Sequence, residues 1–329
     1  MKASNPPTGA PHGLRAHAGT MLRVVLTAAI AVTIVLAVRS QWADVRGTFS
    51  TLDVGSLVLA TVFVFLGMGA AVRAWQHALG ALDYPIPAFD AARCYLVGQL
   101  AKYLPGSVWA FVLQAELVRR AGVSRAAGFT AVLVTVGLST TSALFVGLLG
   151  LPALFQVSTV AAVAVLVLVP ISLTCAYPPV LTRLVDVALK VLRRPPLAAP
   201  LNRRKIALSL GWCAMSWVLY GIHLWILTSN SAGFHLGGLR QCVGALALGM
   251  CAGVLVFVAP SGIGVREAVV VAALSPFMET GVALGLALVS RLIFTLCEVV
   301  AGAVAAISSS RSLRNMLVHE HSRVPTRTG

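Results

Sequence analysis

The feature that most constrains this chain is a long apolar stretch without a single charged side chain. No Asp, Glu, Lys or Arg occurs from Ala126 through Thr182, and a turn signal at Gly150, Leu151 and Pro152 divides the stretch in two. A helix needs about 20 apolar residues to cross a bilayer. The stretch therefore predicts a hairpin of two membrane-spanning helices.

The composition of the whole chain agrees with this prediction. Of its 329 residues, 58% are hydrophobic and only 11% are charged, whereas a soluble domain carries about 25% charged residues. The expected fold class is therefore an all-α integral membrane protein. Apolar runs predict about six full transmembrane helices, at Leu22–Val38, Val54–Val72, Ala126–Leu149, Val157–Tyr177, Ile206–Leu227 and Gly281–Ile307.

Two further apolar segments are interrupted by proline and glycine. The segment Phe89–Val118 is broken once, and Gln241–Leu274 is broken within the sequence APSGIG. Irregular backbone at membrane depth occurs only inside protein or beside a wet cavity, and paired breaks are typical of transporters built from inverted repeats. We therefore expect two re-entrant or discontinuous helical segments and an inverted repeat. The residues of the two breaks are Pro105, Gly106, Pro260, Gly262 and Gly264.

The distribution of basic residues predicts the orientation. Lys and Arg collect in residues 178–205 and in both termini, whereas residues 39–53 balance two Arg with two Asp. Because cytoplasmic loops carry the excess of Lys and Arg, we expect a multi-pass protein of the cell membrane with both termini in the cytoplasm. The expected organisation is a disordered cytoplasmic tail at 1–21, a transmembrane domain at 22–308 and a basic cytoplasmic tail at 309–329. This distribution also accounts for the net charge of +15, so nucleic acid is not expected as a partner.

Five charged residues fall in or beside apolar segments: Lys102, Arg266, Glu267, Arg291 and Glu298. Each costs about 2.5–3.5 kcal/mol at the centre of a membrane helix, so they must be paired, face water or reach the interface. One interpretation is structural. Arg291 and Glu298 are two helical turns apart on one face, Glu267 can meet Arg291 across helices, and Lys102 can extend to the cytoplasmic interface.

The other interpretation is that these residues bind a lipid headgroup. Gln99 and Tyr103 share a helical face beside Lys102, immediately before the first break. Their amide, phenol and ammonium groups can approach a phosphate, and the helix after Gly106 adds free backbone N–H groups. Two arginines and two glutamates in the second half can neutralise one another until a phosphate binds an arginine.

Enzymatic motifs are absent from the sequence. There is no phosphate-binding Walker loop, no H-E-x-x-H zinc motif and no dinucleotide fingerprint in the right context. The histidines lie in tails, loops or single core positions, and no cysteines form a C-x-x-C pair. We therefore expect no enzymatic activity, no cofactor and no metal site.

Three stretches carry a resemblance to a known family: KYLPGSVWAFVLQAELVRRAGVSRAAG (102–128), APSGIGVREAVVVAAL (259–274) and LVSRLIFTLCEVVAG (288–302). They resemble the flippase-like membrane domain of lysylphosphatidylglycerol synthases, over most of residues 24–308. The resemblance implies lipid translocation by a free-standing member without the synthase domain, with Arg266, Glu267 and Arg291 at the family's charged positions. The first motif departs from many relatives, because Ser107, Val108 and Trp109 stand where those have Gly-Glu and then Arg.

The leading functional hypothesis is a flippase-like translocase that moves a phospholipid or a polyprenyl-phosphate-linked glycolipid between leaflets. An alternative is a non-transporting membrane partner, or scaffold, of a lipid-modifying enzyme or glycosyltransferase. A third is a membrane enzyme that uses Glu267 or Glu298 as a base. Membrane lipids are the partners expected in the first case. The sequence leaves the headgroup, the oligomeric state and the energy source open.

Overall fold

The structure, a computed structural model, describes residues 39, 47, 52–103, 109–191, 193–194, 196–197, 199–232, 236–255 and 265–321. In these ranges the chain forms helices and no strand, as the fold class predicts. The α-helices are α1 (Val54–Ala81), α2 (Ala88–Leu100), α3 (Trp109–Arg120), α4 (Arg125–Gly147), α5 (Leu151–Val157), α6 (Thr159–Ala176), α7 (Pro178–Val191), α8 (Arg203–Ala232), α9 (Leu236–Leu255), α10 (Val265–Leu274) and α11 (Thr280–His321).

Six stretches of the described chain are long and apolar enough to cross a membrane: Val54–Ala81, Arg125–Val157, Thr159–Ala176, Arg203–Ser229, Leu236–Gly253 and Thr280–Ser308. Five of them confirm predicted spans. The predicted span Leu22–Val38 and the predicted tail at 1–21 lie outside the described residues. The stretch Leu236–Gly253 was not predicted as a full span.

The second interrupted segment is therefore longer than the sequence indicates. At 1.5 Å per residue, α9 is about 30 Å long and can span a bilayer, whereas α10 is about 15 Å long. The helix before the second break begins at Leu236, five residues before the predicted start of the segment at Gln241. In the first interrupted segment, α2 and α3 are both about 20 Å or shorter. The five break residues themselves lie outside the described residues, and re-entrant geometry stays a prediction.

Side-chain caps fix where several helices begin. Asp53 Oδ2 accepts a hydrogen bond from Ser56 N at 3.1 Å at the start of α1. Ser124 and Ser158 do the same for α4 and α6, and Asn202 for α8, each bonding the backbone N–H three residues on. These side chains satisfy backbone donors that a helix leaves open in its first turn. The predicted turn at Gly150 is helical, and the chain instead changes direction at Ser158.

The helix contacts repeat between two units of the chain. The first unit consists of α1 to α4 and the second of α8 to α11, and each has a long helix, an interrupted pair and another long helix. In chain order, α1 to α4 are equivalent to α8 to α11. Every extensive contact within or between the units has a counterpart between the equivalent helices. For example, α2 packs on α11 and its equivalent α9 packs on α4, while α4 packs on α8 and α11 packs on α1. The most extensive contact joins α1 and α8, the two equivalent helices. This pattern supports the predicted repeat.

Buried polar contacts tie the units together. Ser209 Oγ donates to Ala74 O at 2.8 Å, and Trp217 Nε1 donates to Ser139 O at 3.0 Å. His223 is fully buried between Ala60 O, at 3.1 Å from Nδ1, and Ser290 Oγ, at 3.0 Å from Nε2. Since a carbonyl only accepts, Nδ1 carries the proton and the Ser290 hydroxyl donates to Nε2. One imidazole thus connects α1, α8 and α11.

Two regions predicted as a loop or tail are helical. Within 178–205, α7 buries Leu181, Val185 and Leu189, which recur every four residues and so form one apolar face. The charged residues Arg183 and Lys190 of α7 are exposed. Helix α11 continues to His321, so the predicted tail at 309–329 begins as helix.

Substitution of Gly244 by alanine is expected to lower the free energy of unfolding by about 3 kcal/mol, near the top of the usual range for overpacking. A Cβ atom on Gly244 would overlap the backbone nitrogen and Cα of Gly150, and backbone atoms cannot turn aside. Denaturation in detergent micelles measures the change. The matched control is Gly137→Ala, because no atom lies within 4 Å of a Cβ there. Equal stability of the two variants would contradict the close approach of α9 to the end of α4.

Candidate functional site

Charged residues from both units meet where the interrupted segments adjoin α11. After α2 the chain makes a 3-10 turn, Ala101–Tyr103, that carries Lys102 and Tyr103 up to the first break. Arg266 and Glu267 occupy the first turn of α10, immediately after the second break. Arg291 and Glu298 lie on α11. We call these six residues, Lys102, Tyr103, Arg266, Glu267, Arg291 and Glu298, the charged cluster.

Glu298 binds the end of the first interrupted segment. Lys102 Nζ lies 2.5 Å from Glu298 Oε1, and Tyr103 Oη donates to Glu298 Oε2 at 2.6 Å. The side chain of Glu298 is 12% exposed and that of Lys102 is 28% exposed. Both carboxylate oxygens are therefore engaged by residues of the other unit. The ammonium group of Lys102 thus forms an ion pair, and its extension to the cytoplasmic interface, which the structural interpretation allows, stays a prediction.

Glu267 forms an ion pair with Arg291 of α11. Arg291 Nη1 lies 2.6 Å from Glu267 Oε1, and the two side chains are 11% and 8% exposed. The contact of Glu267 with Arg291 across the helices, which the structural interpretation allows, is observed. Arg291 and Glu298 share a face of α11 as their spacing predicts, but they do not pair with each other. Arg291 pairs with Glu267 of α10, and Glu298 pairs with Lys102 of the 3-10 turn after α2.

Arg266 differs from the other cations of the cluster. Its guanidinium carbon lies 4.5 Å from the centroid of the Phe294 ring, which is a cation–π contact. Its Nη2 atom is buried and has no hydrogen-bond partner among the described residues. A buried donor without a partner costs about 1–3 kcal/mol, and more when it is charged. The site therefore holds one buried cationic donor that can gain a bond from an added acceptor.

Phe294 is a residue of the site that the sequence interpretation missed. It is 4% exposed, and its ring meets Tyr220 edge to face at 4.9 Å and His223 at 5.3 Å. These contacts fix the ring on which the guanidinium lies. The signal was present in the sequence, because Phe294 follows Arg291 by three residues and precedes Glu298 by four, on the same helical face.

Gly249 of α9 was also missed. A Cβ atom there would lie 3.1 Å from Arg266 O, so the missing side chain lets the first turn of α10 approach α9. Gln99, which was predicted to join the site, lies near the end of α2, three residues before Lys102 of the 3-10 turn, and is partly exposed. It takes no part in the ion pairs described above.

Comparison with known proteins assigns the chain to a family. A family model described as the lysylphosphatidylglycerol synthase TM region matches residues 22–302. The chain belongs to this family. The match confirms the resemblance drawn from the three sequence stretches. It contains the whole first unit, the second unit up to residue 302 of α11, and the whole charged cluster. A search of curated proteins gives no match. The family's description names a membrane region of a synthase, and it identifies this chain as a multi-pass membrane protein.

The arrangement suits the binding of an anion. Arg266 supplies a planar set of N–H donors, which match the oxygens of a phosphate better than an ammonium group does. The first turn of α10 adds backbone N–H groups, and the helix dipole favours negative charge at that end. The two ion pairs neutralise the remaining charges of the cluster. The geometry brings together six of the seven predicted binding residues.

Proposed function

We propose that this chain is a lipid translocase, which moves a phospholipid or a polyprenyl-phosphate-linked glycolipid between the two leaflets. The observation that carries the proposal is the buried Nη2 of Arg266, which has no hydrogen-bond partner in the part of the chain that the structure describes, inside a cluster of otherwise paired charges. Ionisable residues within a membrane domain mark substrate pathways, because their cost is otherwise hard to sustain. The lipid phosphate is the group that Arg266 would bind.

In the proposed cycle only the headgroup passes through protein, and the acyl or prenyl chains stay in the bilayer. The phosphate takes the free donor of Arg266 together with backbone N–H groups of the first turn of α10. Glu267 and Glu298 keep Arg291 and Lys102 compensated before and after the headgroup passes. No covalent chemistry on the lipid is needed, so the proposal assigns the chain no catalytic residue and no cofactor.

Lipid movement by the purified protein tests this function. In liposomes that contain a trace of acyl-labelled fluorescent phosphatidylglycerol, the protein should expose labels of the inner leaflet to dithionite added outside. Protein-free liposomes and liposomes with heat-unfolded protein are the controls. Quenching that stops at the outer-leaflet fraction in a folded preparation would refute translocation. That result would favour the alternative of a membrane partner for a lipid-modifying enzyme or glycosyltransferase.

We further propose that the protein lies in the cell membrane with both termini in the cytoplasm. The support is the cluster of Lys and Arg in residues 178–205, part of which lies on the exposed face of α7. On a cysteine-free background, Arg194→Cys should react with an impermeant thiol reagent only after the cells are opened. Asp44→Cys, in the loop predicted outside, is the matched control and should react on intact cells. The reverse pattern would invert the orientation.

A further inference from the structure

We infer that the site selects a lipid with a single monoanionic phosphodiester, and that it discriminates against both cationic and dianionic headgroups. This inference rests on the proposed function and adds the charge class of the substrate. It follows from the balance of charges in the cluster. Three members are cations, Lys102, Arg266 and Arg291, and two are carboxylates, Glu267 and Glu298. The side chains of the cluster therefore carry one positive charge in excess.

The excess charge is located on Arg266. Glu267 is paired with Arg291 at 2.6 Å, and Glu298 with Lys102 at 2.5 Å. Arg266 makes a cation–π contact with Phe294, which does not neutralise it, and its Nη2 lacks a hydrogen-bond partner within the described ranges of the chain. The free positive charge and the free donor thus coincide on one guanidinium group.

The two breaks add no charge to this balance. Residues 104–108 read LPGSV and residues 256–264 read VFVAPSGIG, and neither stretch contains Asp, Glu, Lys or Arg. The nearest charged residues along the chain on either side of the breaks are Lys102 and Arg266, which are already counted, together with Glu116 and Arg240. Glu116 is engaged by Arg119 at 2.8 Å and by Arg125 at 2.8 Å.

The balance determines which headgroup the site can neutralise. One phosphodiester carries one negative charge and brings the occupied cluster to neutrality. A pyrophosphate or phosphomonoester leaves negative charge in excess in a buried site, where unpaired charge is costly. A headgroup with added ammonium groups needs carboxylates, yet both oxygens of Glu298 are bound by Lys102 and Tyr103, and Glu267 holds Arg291. The cluster offers such a headgroup repulsion from Arg266 instead.

Binding of three short-chain lipids to the intact, detergent-solubilised protein tests the inference. The probes are dihexanoyl phosphatidylglycerol, with one phosphodiester; dihexanoyl phosphatidic acid, whose phosphomonoester approaches two negative charges near neutral pH; and dihexanoyl lysylphosphatidylglycerol, with a net positive charge. The measured quantity is the concentration of each lipid that gives half of its maximal rise in Tm. We expect phosphatidylglycerol to act at a concentration about tenfold lower than the other two, because like charges in contact cost several-fold in affinity or more.

A charge-neutralising variant sharpens the test. In Glu298→Gln the amide can still accept from Lys102, but the cluster gains a second positive charge in excess. The preference for phosphatidylglycerol over phosphatidic acid should then shrink or reverse. The matched control is Glu116→Gln, a carboxylate whose arginine partners lie at the protein surface, and it should keep the wild-type order.

Equal affinity for the three lipids, tighter binding of the lysyl lipid, or no Tm response to any of them would overturn the inference. An unchanged order in Glu298→Gln would also overturn it, since the excess charge would then play no part. Failure of the proposed function appears separately, as a lack of lipid movement in liposomes. If the protein binds the three lipids in the expected order but moves no lipid, the inferred selectivity is supported and the translocase function is refuted.

Discussion

Substitution of Arg291 by alanine is expected to lower the free energy of unfolding by about 3–5 kcal/mol. The change removes the guanidinium group 2.6 Å from Glu267 and leaves a carboxylate that is 8% exposed without this partner. A buried charge that loses its partner keeps the full cost of its desolvation. Unfolding by SDS titration in mixed micelles measures the change.

The double variant Arg291→Ala with Glu267→Ala separates the cost of the abandoned charge from the value of the pair. It should recover part of the loss, because no uncompensated carboxylate remains. Arg183→Ala is the control: Arg183 lies exposed on α7, and its replacement should change stability by less than about 0.5 kcal/mol. If the double variant is less stable than Arg291→Ala, the pairing with Glu267 is not what Arg291 contributes.

Substitution of Arg266 by lysine should slow lipid movement at least about tenfold while the Tm stays close to that of the wild type. Lysine keeps the charge but offers a compact ammonium group in place of a planar set of donors. A hydrogen bond to a charged group contributes about 1.5–3 kcal/mol, which corresponds to a factor of ten or more. Folding depends little on this donor, because Nη2 makes no hydrogen bond to any residue that the structure describes. Dithionite quenching in liposomes and a thermal unfolding curve give the two readouts.

Arg119→Lys is the matched arginine control, because Arg119 pairs with Glu116 at the surface, away from the cluster. It should move lipid at the wild-type rate. Phe294→Leu is a second probe of the same site. It keeps an apolar side chain but removes the ring under the guanidinium, so it should slow lipid movement less than Arg266→Lys. A folded Arg266→Ala variant that moves lipid normally would refute the role of this arginine.

Much of the fold follows from the sequence because lipid-facing helices must be apolar along their whole length. Helix α6 is the clearest case: nothing in Ala126 to Thr182 is charged, and the observed Thr159–Ala176 lies within the predicted Val157–Tyr177. Helix α9 was not predicted as a full span by the same criterion of a continuous apolar sequence. It carries Arg240 and Gln241 and is rich in glycine, and half of its most apolar window is buried against protein. A helix that packs on neighbours needs small residues for close approach more than it needs bulk apolar surface.

The members of the charged cluster were also predictable, because ionisable residues in apolar segments are costly and rare. Their partners were not. Lys102 and Glu298 are separated by 196 positions, and only the packing of α2 on α11 brings them together. Helical periodicity places Arg291 and Glu298 on one face but does not determine which neighbouring helix each one meets. The free donor of Arg266 is likewise a result of tertiary packing, since it depends on Phe294 occupying the space beneath it.

The two ion pairs of the cluster differ in what they join. Glu267 and Arg291 both belong to the second unit, so their ion pair lies within that unit. Lys102 belongs to the first unit and Glu298 to the second, so their ion pair joins the two units. Any movement that separates α2 from α11 must break the ion pair of Lys102 with Glu298, whereas the ion pair of Glu267 with Arg291 can stay intact. Such a movement separates two opposite charges, because Lys102 stays with the first unit and Glu298 with the second.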